Sequence, residues 1–292
     1  MDMFKLKPVC KNYLWGGNRL AEEFNIKSDE KILAEAWMLS CHDDGLSEIS
    51  TGEFIGKNLR DYLQNKNFPI LIKLLDIKDK VSVQVHPNDE FALRNENQLG
   101  KEEFWYIIDA KPDSYIYYGF NREISKQEFF RRIHENNLLE VLNKIKVHSG
   151  ESYFIPSGTL HAVGNGVLLA EIQESSNVTY RIYDYDRVDS NGNKRALHID
   201  KAAEVLNFTP VQNKKFLNHL AECKYFTVDK INLRGEFSNT TEKDFISILI
   251  LNGSGKIFAG DKNLDFEKGD SIFISGNKYK IIGEGELLIT TN

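Results

Sequence analysis

The chain has 292 residues, 41% hydrophobic and 27% charged, with a net charge of −6 from 37 Lys and Arg against 43 Asp and Glu. This is an ordinary balance for a soluble globular protein, long enough for one large or two ordinary domains with an ample core. The acidic surplus speaks against non-specific nucleic-acid binding, which needs a basic footprint, but leaves room for a phosphorylated small molecule held by a local cation. Cys10, Cys41 and Cys223 are an odd number at wide spacing, so no disulfide framework is expected and the cytoplasm is the simplest location. The opening residues, MDMFKLKP, lack the apolar core of a signal peptide. No apolar run approaches the length of a membrane span, so no membrane partner is expected.

In chain order, short helices are predicted over 18–24 and 56–63. An apolar, β-rich run over 68–76 reads as a strand. Over 81–86 the residues alternate, so Ser82, Gln84 and His86 share one face and Val81, Val83 and Val85 the other. Further strands are predicted over 105–109, 115–118, 152–155 and 167–172, separated by turn clusters at 109–113 and 164–166. Ser125-Lys-Gln-Glu128 has the form of a capping box, opening a helix from Lys126 to about Asn136. Asp200 is predicted to cap a linker helix over 201–206, with a domain boundary near 208–222. The tail reads as strands over 245–251, 255–258, 271–274, 279–282 and 286–290, with turns at 252–255, 268–270 and 283–285. That regular spacing predicts a second jelly-roll barrel. It has no His after His219 and only Cys223, so it is expected to be structural and metal-free. The expected fold is therefore mainly β, two jelly-roll barrels with short helical insertions, divided as 1–210 and 211–292.

One stretch stands out: Gly150-Glu-Ser-Tyr-Phe-Ile-Pro156-Ser-Gly158-Thr-Leu-His161-Ala-Val-Gly-Asn165. It resembles the second of the two motifs of the cupin β-barrels. Gln84-Val85-His86, followed by Glu103, resembles the first. Imidazole, carboxylate and amide oxygen together suit a borderline divalent ion such as Zn²⁺. Gln84 and His86 lie two apart on a strand and can enter one barrel. Glu103 leads into the next strand, with Glu102 as its neighbouring competitor, and His161 follows a turn. His42, His134, His148, His198 and His219 have no such context and are read as structural.

The whole chain is similar to the short bacterial form of the type I mannose-6-phosphate isomerases. The resemblance is carried by Lys11-Asn-Tyr-Leu-Trp15-Gly-Gly, Ala34-Glu35-Ala-Trp37-Met-Leu-Ser40, and Phe68-Pro-Ile-Leu-Ile-Lys73-Leu-Leu-Asp76 leading into Val81-Ser-Val-Gln84-Val-His86-Pro87. Gly100-Lys-Glu-Glu103-Phe-Trp105 and Ala170-Glu171-Ile-Gln-Glu-Ser-Ser-Asn177-Val-Thr-Tyr-Arg181 complete it. It implies that Gln84, His86, Glu103 and His161 ligate one zinc ion per chain, and that Arg181 is the active-site arginine. It further implies a sugar phosphate as partner, in a monomer or homodimer, and interconversion of mannose 6-phosphate and fructose 6-phosphate through an enediol. The family's long form carries a Tyr-x-Asp-x-Asn-His-Lys-Pro-Glu segment with no equivalent here, which leaves the proton-transfer base and the phosphate contact unassigned.

Lys73 is one candidate for either task, because burial in its apolar strand would make its amine a usable base. Its alternative is an edge-strand lysine facing solvent. Arg181 stays charged and suits an oxyanion better than a proton abstraction, unless Asp184 or Glu171 neutralises it. Trp15 and Trp37 are candidates for the pocket wall. Rival functions are a cupin dioxygenase using Fe²⁺ and a non-catalytic sugar-binding cupin.

Overall fold

A computed structural model describes residues 1–64, 67–189 and 191–292, and these form two compact units. The first comprises Met1–Asn12, Asn18–Leu74 and Lys215–Asn292, the second Tyr13–Gly17 and Leu75–Lys214. The division thus differs from a simple cut at residue 210: the N-terminal strands belong with the C-terminal ones.

In the first unit the N-terminal strand Asp2–Lys7 pairs antiparallel with Ser271–Ser275, which is why the chain's ends share one unit. The same sheet contains Thr227–Thr240, Lys278–Thr291 and Ile246–Ala259 side by side. Its core comprises alternate apolar residues such as Ile246, Ile248, Ile250, Ile272 and Ile274. The expected turns at 252–255 and 283–285 are absent; both stretches continue as strand. Their glycines serve a close approach instead. Gly253 faces Gly285 and Gly255 faces Gly283. A Cβ on Gly255 would sit 2.2 Å from the Ile282 carbonyl oxygen, and one on Gly283 2.4 Å from that of Ser254. Glycine in a strand marks close backbone contact as readily as a turn.

The second unit contains two groups of strands. One has Glu103–Ala110 between Ser152–Ile155 and Val167–Glu174. The other runs Leu142–Lys146, Tyr115–Phe120, His161–Val163, Val83–Val85, Tyr180–Tyr183. Val83, Val85, Ala162 and Ile182 of the latter share a core with Phe129, Leu138 and Ala202 from the helical segments. Period-2 alternation then turns the intervening polar residues the other way.

Two helical expectations need adjustment, and one helix was not expected. Ser125 does cap Lys126–His134, its hydroxyl accepting from Glu128 N at 3.0 Å. The reciprocal half of the box is missing, because the Glu128 carboxylate is taken by Arg122 and Arg132. Asp200 is not a cap: the helix is Ile199–Val205, with His198 at its N-cap and Asp200 in the first turn. An unforeseen helix, Asp89–Glu96, begins just after His86, with the Asn88 side chain accepting from Phe91 N. Asn followed by two acids was its signal.

Candidate metal centre

The strand Val83–Val85 sits beside His161–Val163, and Gln84 lies directly opposite His161. Facing residues on antiparallel strands project to the same side, so Gln84 and His161 point the same way. His86 follows two positions on. Glu103 comes from the other group of strands, and the strand begins at it. That start decides between the two adjacent acids: Glu103 is 0% exposed, whereas Glu102 is only part-buried.

The four expected ligands come together. One nitrogen each of His86 and His161 and one Glu103 oxygen all lie within 4.8 Å of one another. His86 Nε2 is 3.1 Å from Glu103 Oε1, and His161 Nε2 is 3.6 Å from Oε2. Gln84 Nε2 is 3.3 Å from His161 Nε2. The two ends of an amide exchange by a simple flip, so the same position can present Gln84 Oε1.

Both imidazoles are oriented by backbone carbonyls. His86 Nδ1 is 2.8 Å from Val178 O, and His161 Nδ1 is 2.9 Å from Thr159 O. A carbonyl only accepts, so each Nδ1 carries the proton and each Nε2 lone pair is on the side of Glu103. Burial pushes His86 down to about 3, assisted by Lys101, and burial likewise lowers His161, so both rings are neutral at physiological pH. The Glu103 carboxyl is held well below its ordinary value, because the Lys101 ammonium beside it outweighs its burial. Neither Glu103 oxygen accepts a well-formed hydrogen bond. Two Nε2 lone pairs converge on a buried carboxylate, and the Lys101 ammonium reaches Glu103 and His86 from one side. The donor set therefore fits a divalent metal, and the second-shell carbonyls fix its ligands in the usual way.

The sequence reading missed Lys101. It is 4% exposed, with Nζ 2.5 Å from Glu103 Oε1 and 3.3 Å from His86 Nε2. A basic group is thus present at the cluster despite the missing long-form segment.

Arg181 lies directly opposite Gln84 and so faces the same side. Its Nε donates to Ser82 Oγ at 3.3 Å and Nη1 to Ala196 O at 2.9 Å. The expected competitors are engaged elsewhere: Asp184 pairs with Arg187 and Arg195, and Glu171 accepts from Trp105 Nε1 at 2.9 Å. Among the described residues no carboxylate forms an ion pair with Arg181. Burial and Arg195 lower its pKa somewhat, but a guanidinium remains charged at any working pH.

Lys73 belongs to the first unit. It is buried, not solvent-facing, with Nζ 3.9 Å from Glu35 Oε2 and 5.5 Å from the centroid of the Trp37 ring. Trp37 is fully buried in that unit and donates to Glu35. Trp15, in the second unit, stacks on Tyr13.

Residues 3–117 match the model of the phosphomannose isomerase type I catalytic domain, and residues 216–292 that of the mannose-6-phosphate isomerase cupin domain. The chain is 36% identical to the mannose-6-phosphate isomerase ManA of Bacillus subtilis, over 97% of both chains. It belongs to the type I phosphomannose isomerase family. It is also 36% identical to a mannose-6-phosphate isomerase of Streptococcus mutans, over 94% of this chain and 93% of that one. The crystal structure of the Bacillus subtilis mannose 6-phosphate isomerase superposes with a TM-score of 0.92 at 33% identity, covering 99% of each chain. The mainly β, cupin-type architecture expected from the sequence is borne out. No helix of the described residues is long and apolar enough to cross a membrane.

Proposed function

We propose that the chain interconverts mannose 6-phosphate and fructose 6-phosphate through an enediol, using one zinc ion held by Gln84, His86, Glu103 and His161. The observation that carries this reading is the buried convergence of two carbonyl-oriented Nε2 atoms on Glu103, in a chain of this family. When bound, zinc would supply a Lewis acid for the substrate's hydroxyl and carbonyl oxygens.

The chain's own residues account for the other requirements. Arg181, charged and with no carboxylate partner among the described residues, is placed to hold an oxyanion of the substrate. Lys101 brings an ammonium to the cluster, placed to donate a proton to the substrate oxygen on which enediolate charge develops. A positioned proton carrier typically contributes about 10²–10⁴-fold. Lys73, the candidate named from the sequence for proton transfer or phosphate contact, is buried beside Glu35 within the first unit. Burial of the cluster excludes water, which protects an enediol from side reactions. The enzyme is assigned to the cytoplasm, as a monomer or homodimer.

A coupled assay for fructose 6-phosphate formed from mannose 6-phosphate tests the substrate. Turnover of the phosphorylated sugar, with little or none of free mannose, is the expected result. A folded, zinc-loaded sample that turns over neither sugar contradicts the assignment.

A further inference from the structure

One acid of the second unit has no part in the chemistry above. Glu174 ends the strand Val167–Glu174 and is 2% exposed. Its Oε1 accepts from Glu102 N at 2.8 Å, and its own N–H donates to Glu102 O at 3.1 Å. It is therefore clamped to the segment that leads into Glu103. Its Oε2 has no protein donor in the ordinary sense. A second carboxyl, Asp89, is held by the same short segment and stands close enough to raise the Glu174 carboxyl. Two carboxyl groups can hydrogen-bond only if a proton lies between them.

Asp89 is itself tied to the same segment, because its Oδ1 accepts from Gly100 N at 2.9 Å. Gly100 packs so closely that a Cβ would lie 2.5 Å from both Asn88 C and Asp89 N. Asp89, Gly100, Glu102 and Glu174 thus brace the segment from both sides of Lys101. Lys101 in turn reaches Glu103.

We propose that Glu174 is a positioning residue: a proton shared between its carboxyl and Asp89 holds the 100–103 segment so that Lys101 stands at the metal centre. Burial raises Glu174 to about 8; the Glu102 N–H opposes this, and the Asp89 and Glu102 carboxylates add to it. Among the described residues, the ionisable groups that act most strongly on Glu174 are those two acids, one from the helix Asp89–Glu96 and one from the segment before Glu103. The sign follows. Below about pH 8 the proton is retained and the brace is closed. Above it, Glu174 ionises into a site already holding two acids, and the brace opens.

The inference rests on Lys101 serving the isomerisation, so its test has one arm independent of activity. Infrared difference spectra of the zinc-loaded protein, wild type minus Glu174→Gln, report a buried protonated carboxyl directly. A carboxylic C=O band is expected at neutral pH, titrating away with a midpoint near 8. Its absence from the wild type overturns the proposal, whatever the substrate. In the second arm, wild-type kcat falls above that midpoint by about tenfold per pH unit, the slope of one lost proton. Glu174→Gln, whose amide can donate to Asp89 with nothing to titrate, loses that break. An unchanged alkaline limb in Glu174→Gln overturns the positioning role. Asp89→Asn guards against a misfolded first variant. Its amide donates to Glu174 and removes a neighbouring negative charge, so the midpoint of the band should fall, and an unchanged midpoint contradicts the shared proton.

Discussion

The metal-centre strands of the second unit and the long C-terminal strands of the first follow the same rule and reach opposite ends. In both, alternate residues point to one side. Over 246–250 and 272–274 the inward positions are isoleucines, and the core is apolar. Across Val83–Val85, His161–Val163 and Tyr180–Tyr183 one side is just as apolar, while the other presents Gln84, His161 and Arg181. The apolar pattern builds the sheet, and the polar residues on its second face build the site. Burying those polar groups is costly unless something satisfies them, and Glu103 has neither a well-formed hydrogen bond nor an uncharged environment. The C-terminal strands carry no comparable cluster among the described residues; their buried polar side chains include Ser247, Ser271 and Thr290.

That contrast can be broken from either side. The largest effect is expected for His161→Ala, which removes one ligand and leaves Glu103 facing fewer partners. Activity and bound metal should fall together, by more than the roughly 10–100-fold usual for a second-shell change. Arg181→Ala should leave metal content unchanged but lower kcat/KM by about 10²–10³-fold, the range for removing one donor to a developing oxyanion. Loss of metal in that variant would show that Arg181 shapes the centre instead of serving the substrate. In the C-terminal strands, Ile248→Ala should cost about 2–5 kcal/mol of stability, read from denaturant unfolding. Turnover per folded molecule and metal content should not change, and a change in either would mean the two regions are coupled.

Much of the site was legible because its positions follow period-2 alternation and fixed spacing. Gln84 and His86 could be placed from six residues of sequence, and Glu103 over Glu102 needed only the start of a strand. Lys101 was missed because it precedes that strand, in a segment whose conformation depends on Gly100 packing against Asn88 and Asp89. No local pattern reveals such a long-range contact. The glycines at 253, 255, 283 and 285 misled for a related reason. Turn chemistry and close strand approach both require glycine, and only the register of Ile246–Ala259 against Lys278–Thr291 distinguishes them. The discontinuous first unit was equally hidden, since the pairing of Asp2–Lys7 with Ser271–Ser275 spans nearly the whole chain.

The central claim is that isomerisation depends on one divalent ion at the His86, Glu103, His161 and Gln84 centre. Titrating metal-stripped protein with zinc while following mannose 6-phosphate turnover tests it most directly. The account predicts activity that rises linearly to one equivalent per chain and then levels off, with no such rise in His161→Ala. Full activity in the stripped protein, or an equal response from His161→Ala, would contradict it.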